Sequence, residues 1–248
     1  MSYQKGAMKF YDLFGEKEDA SLYISLAHKH GKKALELGVG TARLAIQLAR
    51  SGIEVWGIDN SIYMLKAAEK KITNLPEEVR KRIHLEHSDV RNFNLNEKFD
   101  LIYFPSFSFD HLLCRNDQCY ALKSIRKHLA SGGAYVFDLA NISINQEKNG
   151  WFIQNKQLND SQTVVRIGFR KVKPLQNLIS INLWYELYEE GLLLERYHEA
   201  GDVYIHSIES IKNLLKDNGF EITALYGSYD LKPFTNSSDM MVIVSSMI

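Results

Sequence analysis

KALELGVGTARLAIQLAR, residues 33–50, is the stretch that decides the fold. Lys33-Ala34-Leu35-Glu36-Leu37 reads as a short buried strand that runs directly into Gly38-Val39-Gly40. From Thr41 to Arg50 the apolar residues Leu44, Ala45, Leu48 and Ala49 recur at the spacing of a helix with one buried face. The same strand–helix unit repeats outward. Residues 53–58, IEVWGI, are a nearly continuous β-branched and aromatic run, as a buried strand requires. Ser61–Thr73 follows as a helix capped by Asn60 or Ser61, and Pro76 sits where another helix can start. Strands are expected at 83–88 and Phe99–Phe104, and a helix at 116–129 stopped by Ser131-Gly132-Gly133. Ala134–Leu139 is the fifth strand of the series. Strands alternating with helices predict a doubly wound α/β architecture, its parallel sheet covered on both faces.

Upstream, residues 16–30 read as an amphipathic helix with Leu22, Ile24 and Leu26 apolar. Downstream the alternation breaks. Gln162–Val172, Leu178–Tyr188 and Leu192–Tyr197 are strand-like, with Glu189-Glu190-Gly191 as a hairpin turn, and predict a small antiparallel β insertion. Ser207–Asn218 is then a helix ended by Gly219, followed by strands at Phe220–Tyr226 and Met240–Ser245 that suggest an antiparallel edge. The expected organisation is an N-terminal helical cap (1–30), a main domain of seven mostly parallel strands (31–145 and 207–248) and the insertion (146–206).

At about 150 residues per domain, 248 residues make one large domain or one with an insertion. A chain of this size buries roughly 70–75% of its unfolded surface and needs no disulfide or metal staple. Lys plus Arg and Asp plus Glu are both 30, so the chain lacks the net positive charge of a generic nucleic-acid binder. Cys114 and Cys119 have no second pair to complete a zinc site and read as ordinary thiols of a reducing compartment. The N-terminus lacks an apolar run of signal-peptide length, and no stretch approaches the roughly 20 apolar residues that span a bilayer. A cytoplasmic protein is the expectation, with the Asn-x-Ser sequences at Asn141, Asn159 and Asn236 taken as chance.

In an open parallel sheet, ligands bind beyond the carboxyl ends of the strands. The polar groups expected there are Glu36 with Gly38 and Gly40, then Asp59, Asp89, Pro105-Ser106 and Asp138. Acids at the ends of successive buried strands are costly unless they meet solvent or a ligand. Gly38 and Gly40 permit a tight turn and let a ligand approach the backbone. Asp59 follows Gly40 by 19 residues, in the range where an acid accepts from a ribose diol. The dinucleotide pattern would place glycine where Arg43 stands, and no phosphate-loop Gly-Lys-Ser/Thr is present. Glu36, two residues before the first glycine, would repel a pyrophosphate and attract an ammonium or sulfonium. These features favour a cationic adenosine ligand, S-adenosylmethionine.

In these motifs the chain resembles the class I S-adenosylmethionine-dependent methyltransferases. Glu36-Leu37-Gly38-Val39-Gly40-Thr41 is similar to that family's first motif, and Asp59-Asn60-Ser61 with Met64 to its ribose-binding motif. Asp89-Val90 resembles the pair that holds the adenine, the run through Phe104 the fourth motif, and the two C-terminal strands the reversed last hairpin. Ala42 departs from the pattern, where many members carry a third glycine. The resemblance implies the Rossmann-like methyltransferase fold. It implies that the backbone of Gly38 and Gly40 holds the methionyl part, Asp59 the ribose, and Asp89, Met64 and Val90 the adenine. Glu36, Thr41, Arg43, Asn60, Phe104 and Ser106 complete the implied cofactor site, with S-adenosylhomocysteine as product.

The segment after the fourth strand, Phe104-Pro105-Ser106-Phe107-Ser108-Phe109-Asp110-His111-Leu112, lacks the Asn/Asp-Pro-Pro-Tyr type of motif found in many amide and nucleobase N-methyltransferases. It resembles instead the small-molecule enzymes, particularly amino-sugar and glycine/sarcosine N-methyltransferases. His111 is then the candidate general base or acceptor-orienting group, since an ammonium must lose its proton before it attacks; the alternative is a helix-capping role. Tyr11, in Phe10-Tyr11-Asp12-Leu13-Phe14, resembles a tyrosine that covers the cofactor and is equally readable as an anchor of the N-terminus. Trp151, Phe152, Trp184, Tyr185 and Tyr197 could wall a pocket for a cationic amine, making the insertion an acceptor lid, or could be ordinary strand packing. Arg196 and His198 share a strand face, whereas His84 and His87 point oppositely and are no metal pair. The expected partner is a small-molecule acceptor of a monomer or homodimer, with nucleic acid disfavoured and no membrane. Transfer would be direct and in line, without a metal. Transfer to oxygen or to RNA, and a non-catalytic cofactor-binding sensor or partner subunit, stay open. A nicotinamide-dependent oxidoreductase is disfavoured by Arg43 and by the lack of a Tyr-x-x-x-Lys base.

Overall fold

The computed structural model describes residues 8–15, 19–143 and 148–248. The chain divides into two compact units, one from the described residues of Met1–Lys17 and Ser143–Ile205, the other from those of Glu18–Ile142 and His206–Ile248. The larger unit is built on β1 (Lys33–Leu37), β2 (Glu54–Asp59), β3 (Ile83–His87), β4 (Phe99–Phe104), β5 (Leu129–Ala140) and, after the smaller unit, β10 (Phe220–Tyr226) and β11 (Met240–Met247). Their order is β10-β11-β5-β4-β1-β2-β3, parallel except that β11 runs antiparallel to both β5 and β10. The switch point of this order, where a doubly wound sheet binds its ligand, lies between β1 and β4.

Strand alternation sorts the core. Ala34, Val55, Tyr103, Val136 and Val244 face one layer, formed with α2 (Ala20–His30), α3 (Arg43–Arg50) and α4 (Ile62–Thr73). Leu35, Leu37, Ile102, Phe104, Phe137 and Ile243 face the other, packed with α6 (Arg115–His128) and α7 (Ile208–Asp217). Among the described residues the remaining α-helices are α1 (Met8–Tyr11) and the single turn α5 (Glu77–Arg80) behind Pro76. Ser61 caps α4, its side chain accepting from the Met64 N–H, and Ser207 caps α7 in the same way.

One expected boundary is corrected. Ser131-Gly132-Gly133 does not stop a helix, because α6 has already ended at His128 and β5 begins at Leu129. The pairing with β4 shifts register here, and Gly132 takes φ +76°. A Cβ on Gly133 would meet the Asp100 carbonyl at 2.9 Å, so the glycine serves a bulge where two strand backbones approach.

The smaller unit is an antiparallel sheet of β6 (Gly150–Gln157), β7 (Gln162–Lys173), β8 (Leu178–Glu189) and β9 (Leu192–Tyr204). The expected turn joins β8 to β9, with Glu190 and Gly191 at φ +48° and +82°, as a two-residue hairpin of twisted strands requires. β6 escaped sequence reading, being polar beyond Ile153, with only Lys156 half-buried there. Phe10, from α1, packs among Val164, Leu183, Tyr185 and Leu187 on one sheet face. The described part of residues 1–30, expected as one cap, therefore divides between the units, since α2 packs with the seven-stranded sheet. The five aromatics do not form a single wall. Phe152, Tyr185 and Tyr197 share the Phe10 face, whereas Trp151 and Trp184 stack with each other, with Phe169 and with His198 on the opposite one. Among the described residues no helix is long and apolar enough to cross a membrane, and no group of residues could hold a metal ion.

Candidate active site

The loop after β1 passes through the left-handed region three times, at Gly38 (φ +66°), Gly40 (+55°) and Ala42 (+60°). Ala42, which departs from the family pattern of a third glycine, thus adopts the glycine conformation with its methyl buried and opens α3. A Cβ on Gly40 would meet nothing closer than the Gly38 carbonyl at 4.0 Å, so the loop leaves open space over this backbone. On Gly38 it would come within 3.3 Å of the Phe104 ring and 3.6 Å of Ser108, which wall the other side. The loop is seated on β2 by the Val39 N–H, which donates to the Ile58 carbonyl at 2.9 Å. That seat needs Gly57, which sequence reading passed over: a Cβ there would lie 2.6 Å from the Val39 side chain.

Asp59, at the end of β2, braces the same loop. Its carboxylate accepts from the Gly40 N–H and the Ser61 N–H, both at 2.8 Å. Burial raises its pKa, and these two N–H groups oppose the shift. Asn60 is exposed, with its carbonyl facing the His87 ring at 3.1 Å, while Met64 is buried on α4. Asp89 is tied to Arg91, whose guanidinium donates to it at 2.6–3.1 Å and holds its carboxyl below the usual range. Arg91 reaches Asp117 as well, a partnership not read from the sequence. Val90 beside it is half-buried against the apolar layer.

The deepest part of the site is a ladder of acids and tyrosines on one face of the sheet. Glu36 on β1 registers against Tyr103 on β4, and the Tyr103 hydroxyl donates to it at 3.0 Å. Tyr103 packs on Tyr23 of α2, ring centroids 5.1 Å apart, and the Tyr23 hydroxyl donates to Asp138 of β5 at 2.9 Å. Desolvation pushes Glu36 up to about 8, with the Tyr103 hydrogen bond and Arg43 opposing the rise. Arg43 itself makes a bidentate pair with Asp19, at 2.5 and 2.7 Å, in which the Asp19 side chain is fully buried. Thr41 is buried beside Ala42 at the start of this helix. Asp19, Tyr23 and Tyr103 were not singled out from sequence, because only the tertiary register brings them beside Glu36.

The acceptor-side segment is a turn. Pro105 follows the buried Phe104, and Ser106 and Phe107 take φ +66° and +60° before a 3-10 turn, Ser108–His111. His111 closes that turn, and the next helix starts beyond it with Cys114 as its cap, so His111 does not cap it. Cys114 and Cys119 are free thiols. The topology therefore gathers Glu36, Gly38, Gly40, Thr41, Arg43, Asp59, Met64, Phe104 and Ser106 at the carboxyl ends of three neighbouring strands. Tyr11 ends α1 and belongs to the smaller unit. Arg196 pairs with Glu186 at 3.1 Å and His198 lies 3.2 Å from Asn182, so both are engaged within their own sheet.

These residues fit a cationic adenosine ligand, since among the described residues no cation bonds directly to the buried Glu36 carboxyl, and the Gly40 backbone is open. Comparison with known proteins agrees. Residues 34–133 match a family described as a methyltransferase domain. The chain is 24% identical over 254 residues to the cypemycin N-terminal methyltransferase of a Streptomyces species, covering 98% of this chain and 96% of that one. Its fold is that of the CcbJ methyltransferase from Streptomyces caelestis (TM-score 0.84, 20% identity, 99% of each chain). It is also that of the sugar N-methyltransferase KedS8 from Streptoalloteichus (TM-score 0.75, 19% identity, 98% and 93% of the two chains). With a methyltransferase domain spanning the glycine loop, the strand-end acids and the turn after β4, this chain is an S-adenosylmethionine-dependent methyltransferase.

Proposed function

We propose that the enzyme methylates an amine nitrogen of a small molecule or of a peptide N-terminus. The observation that carries this reading is the placement of His111 on the turn whose Ser108 walls the Gly38 loop, so that one turn both carries a proton acceptor and borders the cofactor loop. The relatives named for a peptide N-terminus and for a sugar nitrogen support the same class of acceptor.

When bound, S-adenosylmethionine supplies an electrophilic methyl group on a sulfonium. On the reading proposed here, Glu36 accepts the ammonium of its methionyl part, the backbone of Gly38 and Gly40 lies along that part, and Asp59 holds the ribose hydroxyls. Met64 and Val90 flank the adenine beside Asp89, and Thr41, Arg43, Asn60, Phe104 and Ser106 complete the walls. His111 removes the proton from the acceptor ammonium, freeing the lone pair, and the turn that carries it orients the nitrogen. Alignment and exclusion of water then supply most of the acceleration.

The test is transfer of a deuterated methyl group to a panel comprising a peptide with a free N-terminus, a nucleotide-linked amino sugar and a catechol. Mass spectrometry is expected to find the label on nitrogen only. His111→Ala should lower turnover by about 10²–10⁴-fold, the usual contribution of a general base, with S-adenosylhomocysteine affinity retained. Label on the catechol oxygen, or full turnover without His111, would overturn the reading.

A further inference from the structure

Two successive non-glycine residues, Ser106 and Phe107, sit in the left-handed region at the start of the turn after β4. That conformation is unfavourable for L-residues and persists only where the surroundings impose it. The apolar side of the turn is held by Phe109, which packs edge-on to Phe104 and against Phe137 and His206. Apolar packing alone does not orient a backbone. The orientation comes from Asp138 at the end of β5, whose side chain is wholly buried. One of its carboxylate oxygens accepts from the Ser106 N–H at 3.0 Å and the other from the Phe107 N–H at 2.5 Å. A buried carboxylate is tolerated where hydrogen bonds replace its lost water, and the Tyr23 hydroxyl provides a third at 2.9 Å. The turn is tied to β5 a second time by Asp110, which accepts from the Ala140 N–H at 3.3 Å.

We propose that Asp138, braced by Tyr23, is a positioning residue of this enzyme. Its carboxylate holds Ser106 and Phe107 in the left-handed conformation and thereby sets Ser108 against Gly38 and aims His111. The catalytic part of this inference rests on the amine-methylating reading above; the tether itself does not. Asn at 138 keeps the shape but turns an NH2 group toward one of the two backbone N–H donors, so one tie becomes a repulsion. Phe at 23 keeps both backbone ties and removes only the brace.

Hydrogen exchange read by mass spectrometry tests the tether without an acceptor. In Asp138→Asn, amides of the 104–112 segment should exchange at least about tenfold faster while β1 and β2 keep wild-type protection. Tyr23→Phe should accelerate the same segment by about threefold, and in the double variant it should add little, because Tyr23 acts through Asp138. If Asp138→Asn does not fold, the Tyr23→Phe measurement decides alone. Wild-type exchange in 104–112, or acceleration spread evenly over the whole sheet, would overturn the proposal. Turnover with an amine found in the panel should fall at least about thirtyfold in Asp138→Asn, with kcat losing more than the KM for S-adenosylmethionine changes. A wild-type enzyme that methylates no amine would end the amine reading and leave the exchange result standing.

Discussion

Cofactor binding by this enzyme should release a proton from Glu36. Burial lifts that carboxyl to about 8, so in the ligand-free protein it is about 90% protonated at pH 7 and about 99% at pH 6. On the proposed placement of the methionyl ammonium beside Glu36, that cation would favour the carboxylate, so Glu36 should be ionised in the complex and its proton released. The affinity carries the cost of that ionisation, which falls as pH rises toward the pKa of the free protein. From pH 6 to pH 7 the factor changes from about 101 to about 11, a tightening of roughly ninefold, or about 1.3 kcal/mol. This window lies below the titration of the ligand's own amino group, near 7.7–8.0 by analogy with an α-amine. Calorimetric titration with S-adenosylhomocysteine in two buffers of different ionisation enthalpy reads both quantities, and about 0.9 proton should be released at pH 7. Glu36→Gln should bind with a flat profile and release none. A flat profile in the wild-type protein, or the same slope in the Gln variant, would refute the assignment of Glu36 as the cation acceptor.

Other residues give equally direct tests. Asp59→Ala removes the acceptor for the Gly40 and Ser61 N–H groups, each bond to a charged group being worth about 1.5–3 kcal/mol, and S-adenosylhomocysteine affinity should fall about 100-fold by calorimetry. Gly57→Ala forces Val39 away from a Cβ 2.6 Å from its side chain; overpacking of about 1–3 kcal/mol should reach the Gly38–Gly40 loop and weaken binding about tenfold, and unchanged affinity would show that the loop does not depend on that seat. Arg43→Met leaves the buried Asp19 carboxylate without its bidentate partner. Breaking such a pair costs about 3–5 kcal/mol, and with Arg43 itself part-exposed the low end applies, so scanning calorimetry should show Tm lowered by about 6–12 °C, largely restored by adding Asp19→Asn.

Local pattern carried the fold because each element of the sheet is announced by its own residues. Lys33–Leu37 and Phe99–Phe104 are apolar runs between turn signals, and both are strands over those residues. Reading failed where the same residues serve a different neighbour. Gly132-Gly133 after a helix signals its end, yet here the pair lets β5 bulge beside β4. The polar second half of β6 lacks the apolar alternation of a half-buried strand because Gln154, Asn155 and Gln157 are exposed and only Lys156 is half-buried. In the site, the glycine loop and Asp59 were legible from spacing, since one helix and one strand, α3 and β2, lie between the loop and the acid. The ladder through Tyr103, Tyr23 and Asp138 was not, because it depends on the register Glu36↔Tyr103 and on which way α2 turns Tyr23. Asp89 was legible as a strand-end acid, but its partner Arg91 was hidden among surface charges.

The most direct test of the central claim is calorimetric titration of the purified protein with S-adenosylmethionine, S-adenosylhomocysteine and NAD. The buried Glu36 and the open Gly40 backbone predict micromolar binding of both sulfur ligands and none of NAD. Binding of NAD alone, or of none of the three, would contradict it.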